Sequence, residues 1–247
     1  MATKAVAKSA KSTALTTASF ADDLQDLKDR LKAPGGDKIT FKKRKFNLPN
    51  GDVLDFLDVV IVDFVYSNKY YGSAYQEDAI VPPDCFAIAA VESDMVPSKL
   101  SPDVQCKTSC AECPQNKYAS RGKGKACSNR ILMAVLPSDA TAETPFAIVD
   151  VPPTSIKGWS QYASSVARGL GRPPFGVISH IEMDDGYDYA KLVFSDPVPL
   201  DDGDFIAMIR GRREEARERL LTEPDIAAML AASDAKPSKL KAPAKRR

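Results

Sequence analysis

Apolar and polar positions along the chain predict strands through its middle and helices towards its ends. Phe20, Leu24, Leu27 and Leu31 recur at helical spacing behind Ser19, a capping residue, with Asp22 and Asp23 in the first turn, and Pro34-Gly35-Gly36 ends the run. Residues 39–46 alternate around basic side chains as a single strand, and Leu48-Pro49-Asn50-Gly51 is a hairpin-type turn signal. Residues 53–66 are a long run of Val, Ile and Phe interrupted by Asp55, Asp58 and Asp63, which predicts a long, bent strand buried on both faces. Shorter apolar runs at 85–91, 130–136 and 146–151 predict three more strands. Between 153 and 171 the spacing turns helical through Ile156, Trp159, Tyr162, Ala163, Val166 and Leu170, with Gly169 and Gly171 as stops. Residues 175–181, the turn Asp184-Asp185-Gly186 and residues 187–194 predict a hairpin. A helix over 204–221 and a short one after Pro224 follow.

One long curved strand, several short ones and few helices predict a β-rich α+β fold: an OB-like β-barrel with appended helices. The expected organisation is a basic arm at 1–18, the barrel at 19–200 with a zinc-knuckle insertion at 99–130, C-terminal helices at 201–232 and a basic tail at 233–247. Both tails have too little apolar content to offset the entropy of ordering. The 44% apolar and 27% charged residues are those of an ordinary globular protein, and no run approaches the ~20 apolar residues that cross a bilayer. No secretory signal opens the chain, so an intracellular setting is expected. The net charge of +1 is uninformative, but the charges segregate. Residues 99–130 carry seven Lys/Arg against two acids, residues 182–204 carry eight acids against Lys191, and residues 236–247 hold six bases and no acid.

Four of the five cysteines fall within 22 residues, as Cys106-x3-Cys110-x2-Cys113-x13-Cys127. That spacing suits a tetrahedral structural zinc, with Pro114 and the glycines of Arg121-Gly122-Lys123-Gly124-Lys125 shaping a tight knuckle and an open loop. Two disulfides or a cysteine-ligated iron–sulfur cluster are the competing uses of the same residues. Cys85, inside an apolar strand, reads as a core residue. Four thiolates close a coordination shell, so a catalytic zinc is not expected, and His180 reads as a strand residue. Neither a P-loop nor a dinucleotide fingerprint is present, and the chain is read as a non-enzyme. Asp184, Asp185, Asp188, Asp201, Asp202 and Asp204 raise a metal-dependent nuclease as a minor reading, though turns favour Asp by default.

Single-stranded nucleic acid needs cations along its backbone and aromatic faces for its bases. The knuckle offers Lys107, Lys117, Tyr118, Arg121, Lys123, Lys125 and Arg130. Upstream lie Lys42, Lys43, Arg44 and Lys45 on a predicted strand, and Tyr70, Tyr71 and Tyr75 just past the long strand. Solvated basic faces and half-buried tyrosines are the alternative reading of these features. Trp159 fits the core side of its helix.

Pro82-Pro83-Asp84-Cys85-Phe86, Cys110-Ala111-Glu112-Cys113-Pro114-Gln115-Asn116 and Gly122-Lys123-Gly124-Lys125-Ala126-Cys127 resemble a pattern in a family of tailed-bacteriophage single-stranded-DNA-binding or replication-accessory proteins. The resemblance covers about residues 50–200, with the cysteine block as its specific part. It implies an OB-type barrel with a four-cysteine zinc insertion, cooperative coating of single-stranded DNA in phage replication or recombination, replication or recombination proteins as further partners, and the cytoplasm of an infected bacterial host as the setting. The basic C-terminus departs from the acidic tail common in single-strand-binding proteins. The alternative is a phage protein-interaction module that docks onto host transcription or replication machinery through its knuckle and the helix at 204–221.

Overall fold

The structure, a computed structural model, describes residues 37–73 and 81–229. These belong to one compact unit, and its architecture is β-rich α+β: a strongly curled half-barrel sheet with a few helices. Its strands are β1 (Lys38–Lys42), β2 (Lys45–Asn47), β3 (Val53–Leu54), β4 (Phe56–Tyr70), β5 (Cys85–Ala89), β6 (Cys127–Pro137), β7 (Ala147–Val151), β8 (Val177–Met183) and β9 (Leu192–Pro199). The helices are α1 (Ile156–Leu170), α2 (Gly203–Gly211) and α3 (Arg213–Leu221), and residues 226–229, where a short helix after Pro224 is expected, are helical as well. The expected helix behind Ser19, the two tails and Tyr75 lie outside the described residues.

The sheet runs β3-β2-β1-β7-β6-β4-β8-β9, and β5 is a further partner of β4. One edge of β4 pairs with β6. Its other edge is shared, with Phe56 to Val59 pairing with β8 and Tyr66 to Tyr70 pairing with β5. The sequence run 53–66 is therefore split at Asp55, where β3 pairs with β2 and β4 begins, and β4 continues to Tyr70, where the polar pattern Ser67-Asn68-Lys69 hides it from a hydrophobicity reading.

Between Ile61 and Asp63 the β4–β6 register shifts by one residue, leaving Val62 as a bulge. Strand side chains alternate between faces, so the extra residue exchanges odd and even positions. Leu57, Val59 and Ile61 face one core before the bulge, and Phe64 and Tyr66 face the same core after it. That core also takes Ile39 of β1, Phe46 of β2 and Phe194 of β9, strands from both ends of the sheet, so it is the concave side. Helix α1 fills it with Trp159, Tyr162 and Val166; the Trp159 ring lies 5.3 Å from those of Phe64 and Phe194. The Tyr162 hydroxyl donates to Ser179 Oγ at 2.7 Å, which satisfies both buried groups. Gly171, at φ 62, ends α1 in the left-handed conformation that glycine adopts without strain.

The convex side is apolar as well and is covered by α2 and α3. Val60, Val62, Val65, Leu132, Ala134 and Leu136 pack against Ile209, Ala216 and Leu220. The predicted helix over 204–221 is two helices, broken at Arg212, whose guanidinium donates to the Thr144 carbonyl at 2.6 Å and stacks 4.2 Å from the Phe146 ring. Asp63, turned to this face by the bulge, receives Arg217 at 2.9 Å and Arg213 at 3.5 Å. Asp202 caps α2 by accepting from the amides of Asp204 and Phe205.

Two further expectations are corrected. Residues 39–46 are not one strand but a hairpin: Lys42 pairs with Lys45, and Lys43 (φ 50) and Arg44 (φ 62) make a two-residue turn. Such a turn needs two left-handed residues and normally draws Asn-Gly; here two β-carbons accept a cost of roughly 1–2 kcal/mol each. The second arm of the later hairpin is Leu192–Pro199, and residues 184–191 form a broad loop. Lys191 holds that loop by pairing with Asp184 at 2.8 Å and standing 3.9 Å over the Tyr187 ring. Strand β9 has no partner on its outer edge among the described residues, and it carries Asp196 (φ 46) and Pro197 in a second bulge.

Trp159→Ala should lower the unfolding free energy by about 3–5 kcal/mol, because the indole lies fully inside the concave core. Urea unfolding followed by far-ultraviolet circular dichroism checks this; a loss under about 1 kcal/mol would mean that α1 does not plug the sheet.

Candidate metal centre and nucleic-acid interface

The cysteine segment is built onto the far end of β4. Tyr70 pairs with Cys85 on one side and Cys127 on the other, so the three side chains share a face of the sheet. Asn68, two residues back on that face, sits between Ala87 and Asn129 and accepts from Asn129 Nδ2 at 2.7 Å. The loop from β5 to β6 brings the other thiols over this platform. Cys110 is fixed by its amide bond to the Met95 carbonyl at 3.0 Å, and Asn116 Nδ2 donates to the Cys110 carbonyl at 2.8 Å. Ser120 Oγ accepts from the Ala126 amide at 2.8 Å and donates to the Lys117 carbonyl, which closes the Gly-rich loop onto itself.

Cys106, Cys110, Cys113 and Cys127 line one small cavity, and Cys85 lines it too. Cys85 is buried in β5, as its apolar surroundings imply, yet it is also a fifth thiol in the cavity wall. Burial pushes the Cys106 thiol up to about 12, helped by a hydrogen bond and repulsion from Cys113. Cys110 rises to about 11, through burial opposed by a hydrogen bond with Asn68. Cys127 rises to about 12, through burial and the neighbouring Cys110 and Cys113, against which Lys125 pulls down. Thiols in this setting repel one another's charged forms, and a divalent cation is the species that would relieve them all together. The donor set fits a closed tetrathiolate of the structural-zinc kind. Among the described residues, no three His, Cys, Asp or Glu side chains are already gathered at metal-ligand spacing.

The predicted nucleic-acid residues divide into two places. At the knuckle, Tyr118 is 80% exposed with the Lys125 ammonium 5.4 Å from its ring, Lys107 and Lys123 are exposed in the same segment, and the exposed Lys117 donates to the Ala111 carbonyl at 2.7 Å. Lys125 is steadied by Asn129 at 3.1 Å and Asn116 at 3.3 Å. Arg121 stands 6.0 Å over the Tyr70 ring and donates to the Tyr71 carbonyl, tying the loop to the end of β4.

On the convex face of the same end, Arg130 Nε donates to Asp150 at 2.5 Å and Lys69 pairs with Asp150 at 3.3 Å. Lys38, on the adjoining β1, adds a third cation. Burial alone would raise the Asp150 carboxyl, but Lys69, Arg130 and Lys38 outweigh it and hold the group below the usual carboxylate range. The Lys38 side chain reaches solvent, yet crowding by surrounding atoms and then Lys69 lower its ammonium. Burial raises the Tyr71 phenol, with Asp150 adding to it. Lys38 and Lys69 escaped the sequence reading because only the sheet brings them to Arg130.

Lys42, Lys43, Arg44 and Lys45 are not part of this group. Strand β8 pairs with the Phe56 end of β4, so the turn they occupy meets the 184–191 loop at the opposite end from the knuckle. Lys45 pairs with Asp55 at 2.7 Å. His180 Nδ1 lies 2.7 Å from Asp58 Oδ1 and its ring 4.9 Å from Phe56, a strand position. Asp184 pairs with Lys191 at 2.8 Å, Asp185 and Asp188 face Arg44, Asp201 pairs with Arg172 at 3.2 Å and Asp202 caps α2, so five of the six carboxylates of the nuclease reading have structural partners.

Purified protein should carry about one zinc per chain, and Cys113→Ser should release it and lower the melting temperature. Metal analysis beside thermal unfolding checks this; a metal-free Cys113→Ser chain as stable as the unaltered one would remove the structural role. The depressed Asp150 carboxyl contributes stability above its unfolded value of about 3.9, and that contribution is lost as pH falls through the lower folded value. The stability gap between the unaltered protein and Asp150→Asn should therefore be full at neutral pH and close in acid. A gap that stays constant into strong acid would contradict the pairing.

Comparison with protein-family models, with curated proteins and with solved structures finds no match to this chain.

Proposed function

We propose that the protein is a non-catalytic, sequence-tolerant single-stranded-DNA-binding protein whose knuckle is held by a structural zinc. The observation that carries this reading is the cysteine-anchored loop at the end of β4, which presents the exposed Tyr118 ring beside Lys125 and exposes Lys107, Lys117 and Lys123 along the same segment. The cations Lys38, Lys69 and Arg130 continue the basic surface onto the convex face, with one carboxylate between them. An exposed ring offers a base a sequence-tolerant stacking partner, and clustered cations release counterions from a phosphate backbone.

The fold supports the same reading at the level of topology. β4, β6 and β7 run as an antiparallel meander, α1 follows, and the β8–β9 hairpin returns to β4. That order is consistent with an OB-like barrel that does not close on itself, since β7 pairs onward with β1 rather than with β9, and β5 and the knuckle are inserted between its first two strands. OB barrels commonly bind strands across their outer face. Here α2 and α3 cover that face, so the single strand is assigned to the knuckle and the uncovered rim beside it. A bound zinc supplies no chemistry in this scheme; it cross-links the loop. The phage replication or recombination role, its protein partners and the host cytoplasm follow from the sequence resemblance. No described helix is long and apolar enough to cross a membrane.

The docking alternative has Val91, Val96, Leu100 and Val104, all exposed between β5 and the knuckle, as its surface. It loses the helix at 204–221, whose apolar side faces this chain's own sheet. Fluorescence anisotropy with labelled single- and double-stranded oligonucleotides across a salt series separates the two. Single strands should bind more tightly than duplex, with length dependence, and Lys123→Gln should reduce the salt slope by about 0.7. Failure to bind any strand at low salt would remove the reading and leave the docking one.

A further inference from the structure

At the Phe56 end of β4, the β1–β2 turn and the 184–191 loop enclose a cleft of about 290 Å³ with Phe41 in its wall. We propose that this cleft takes an unstacked base of the bound single strand, on the Tyr187–Tyr189 ring pair. This rests on the reading that single-stranded DNA is the ligand. The two rings lie 5.1 Å apart at 47° and are 38% and 53% exposed, so they pack on each other without entering a core. Lys191 stands over Tyr187 and is itself held by Asp184, so the ring is backed by a cation and fixed in place. Arg44 donates to the Tyr187 carbonyl at 3.3 Å and faces Asp185 and Asp188 at 3.8 and 3.7 Å, which links the two loops.

The turn opposite is the strained pair Lys43 and Arg44, where turn geometry alone would choose Asn-Gly. Their side chains are therefore explained by what they face rather than by the turn they make. Charge decides which part of a nucleotide this site takes. Lys43, Arg44 and Lys191 balance Asp184, Asp185 and Asp188, so the cleft offers no excess cation to a phosphate. It offers aromatic faces and polar groups of both signs, which match a base with its π-face and its donor and acceptor edges. The knuckle, with its cationic excess, neutralises backbone, and the cleft stacks.

The two sites stand at opposite ends of β4, whose 15 residues span at most about 50 Å. The test uses the full-length protein, its Tyr189→Ala, Tyr189→Phe and Tyr187→Ala/Tyr189→Ala variants, and oligothymidylate longer than the ~16 nucleotides one OB-type unit covers. The alanine variants should bind roughly tenfold more weakly with an unchanged salt slope, and Tyr189→Phe should retain affinity. Emission from the buried Trp159 verifies the fold of each variant. Photo-cross-linking of a 5-bromodeoxyuridine strand should mark the peptide holding Tyr187 and Tyr189. A folded double variant with unaltered affinity, or cross-links confined to the knuckle, would overturn the cleft and leave the proposed function standing. An unaltered protein that binds no strand would overturn both.

Discussion

Between Ile61 and Asp63 the pairing of β4 with β6 gains a residue, and both faces of the sheet answer to that shift. Without Val62 as a bulge, Phe64, Tyr66, Asn68 and Tyr70 would fall on the convex side. The concave core would lose its contact with Trp159, and the cysteine loop would lose the platform on which Cys110 sits. Asp63 would turn inward, away from Arg213 and Arg217, and a buried carboxylate without partners is far costlier than a lost ion pair. One inserted residue thus aligns a hydrophobic core, a helix latch and a polar platform along a single strand.

The two ends of that strand differ in electrostatic character. At the Tyr70 end, cations outnumber acids, which would suit an anionic polymer, and five thiols line one cavity, where a metal would take the place of their protons. At the Phe56 end, opposite charges are interleaved closely enough to cancel, and exposed aromatic surface is what remains. The whole-chain charge of +1 conceals this division, because it averages two surfaces with different affinities.

Local spacing was enough to read α1, the long strand and the shared location of the four knuckle cysteines. Each of those signals lies within a few turns or one strand of chain. What escaped depends on partners distant in sequence or on ambiguous side chains. Val62 is apolar and suits either face, so the bulge leaves no trace in the pattern. Lys43-Arg44 lacks the residues that mark a tight turn, so a hairpin looked like a strand. Tyr187-Asp188-Tyr189 alternates as a strand would, but Lys191 bonds back to Asp184 and holds those residues in a loop. The set Lys38, Lys69, Arg130 and Asp150 comes from four strands and exists only once the sheet has formed.

If single-stranded DNA is the ligand, as proposed, the outer edge of β9 bears on how neighbouring molecules could line up on it. Pro197 withholds an amide donor, and Asp196 in its bulge twists the backbone away from a flat ladder. A second copy approaching that edge would meet an interrupted row of hydrogen-bonding groups. A continuous sheet between adjacent proteins is disfavoured there. Any ordering among them would then pass through side-chain contacts or through the polymer they share, and the spacing along it would be set by the nucleic acid rather than by a β-ladder.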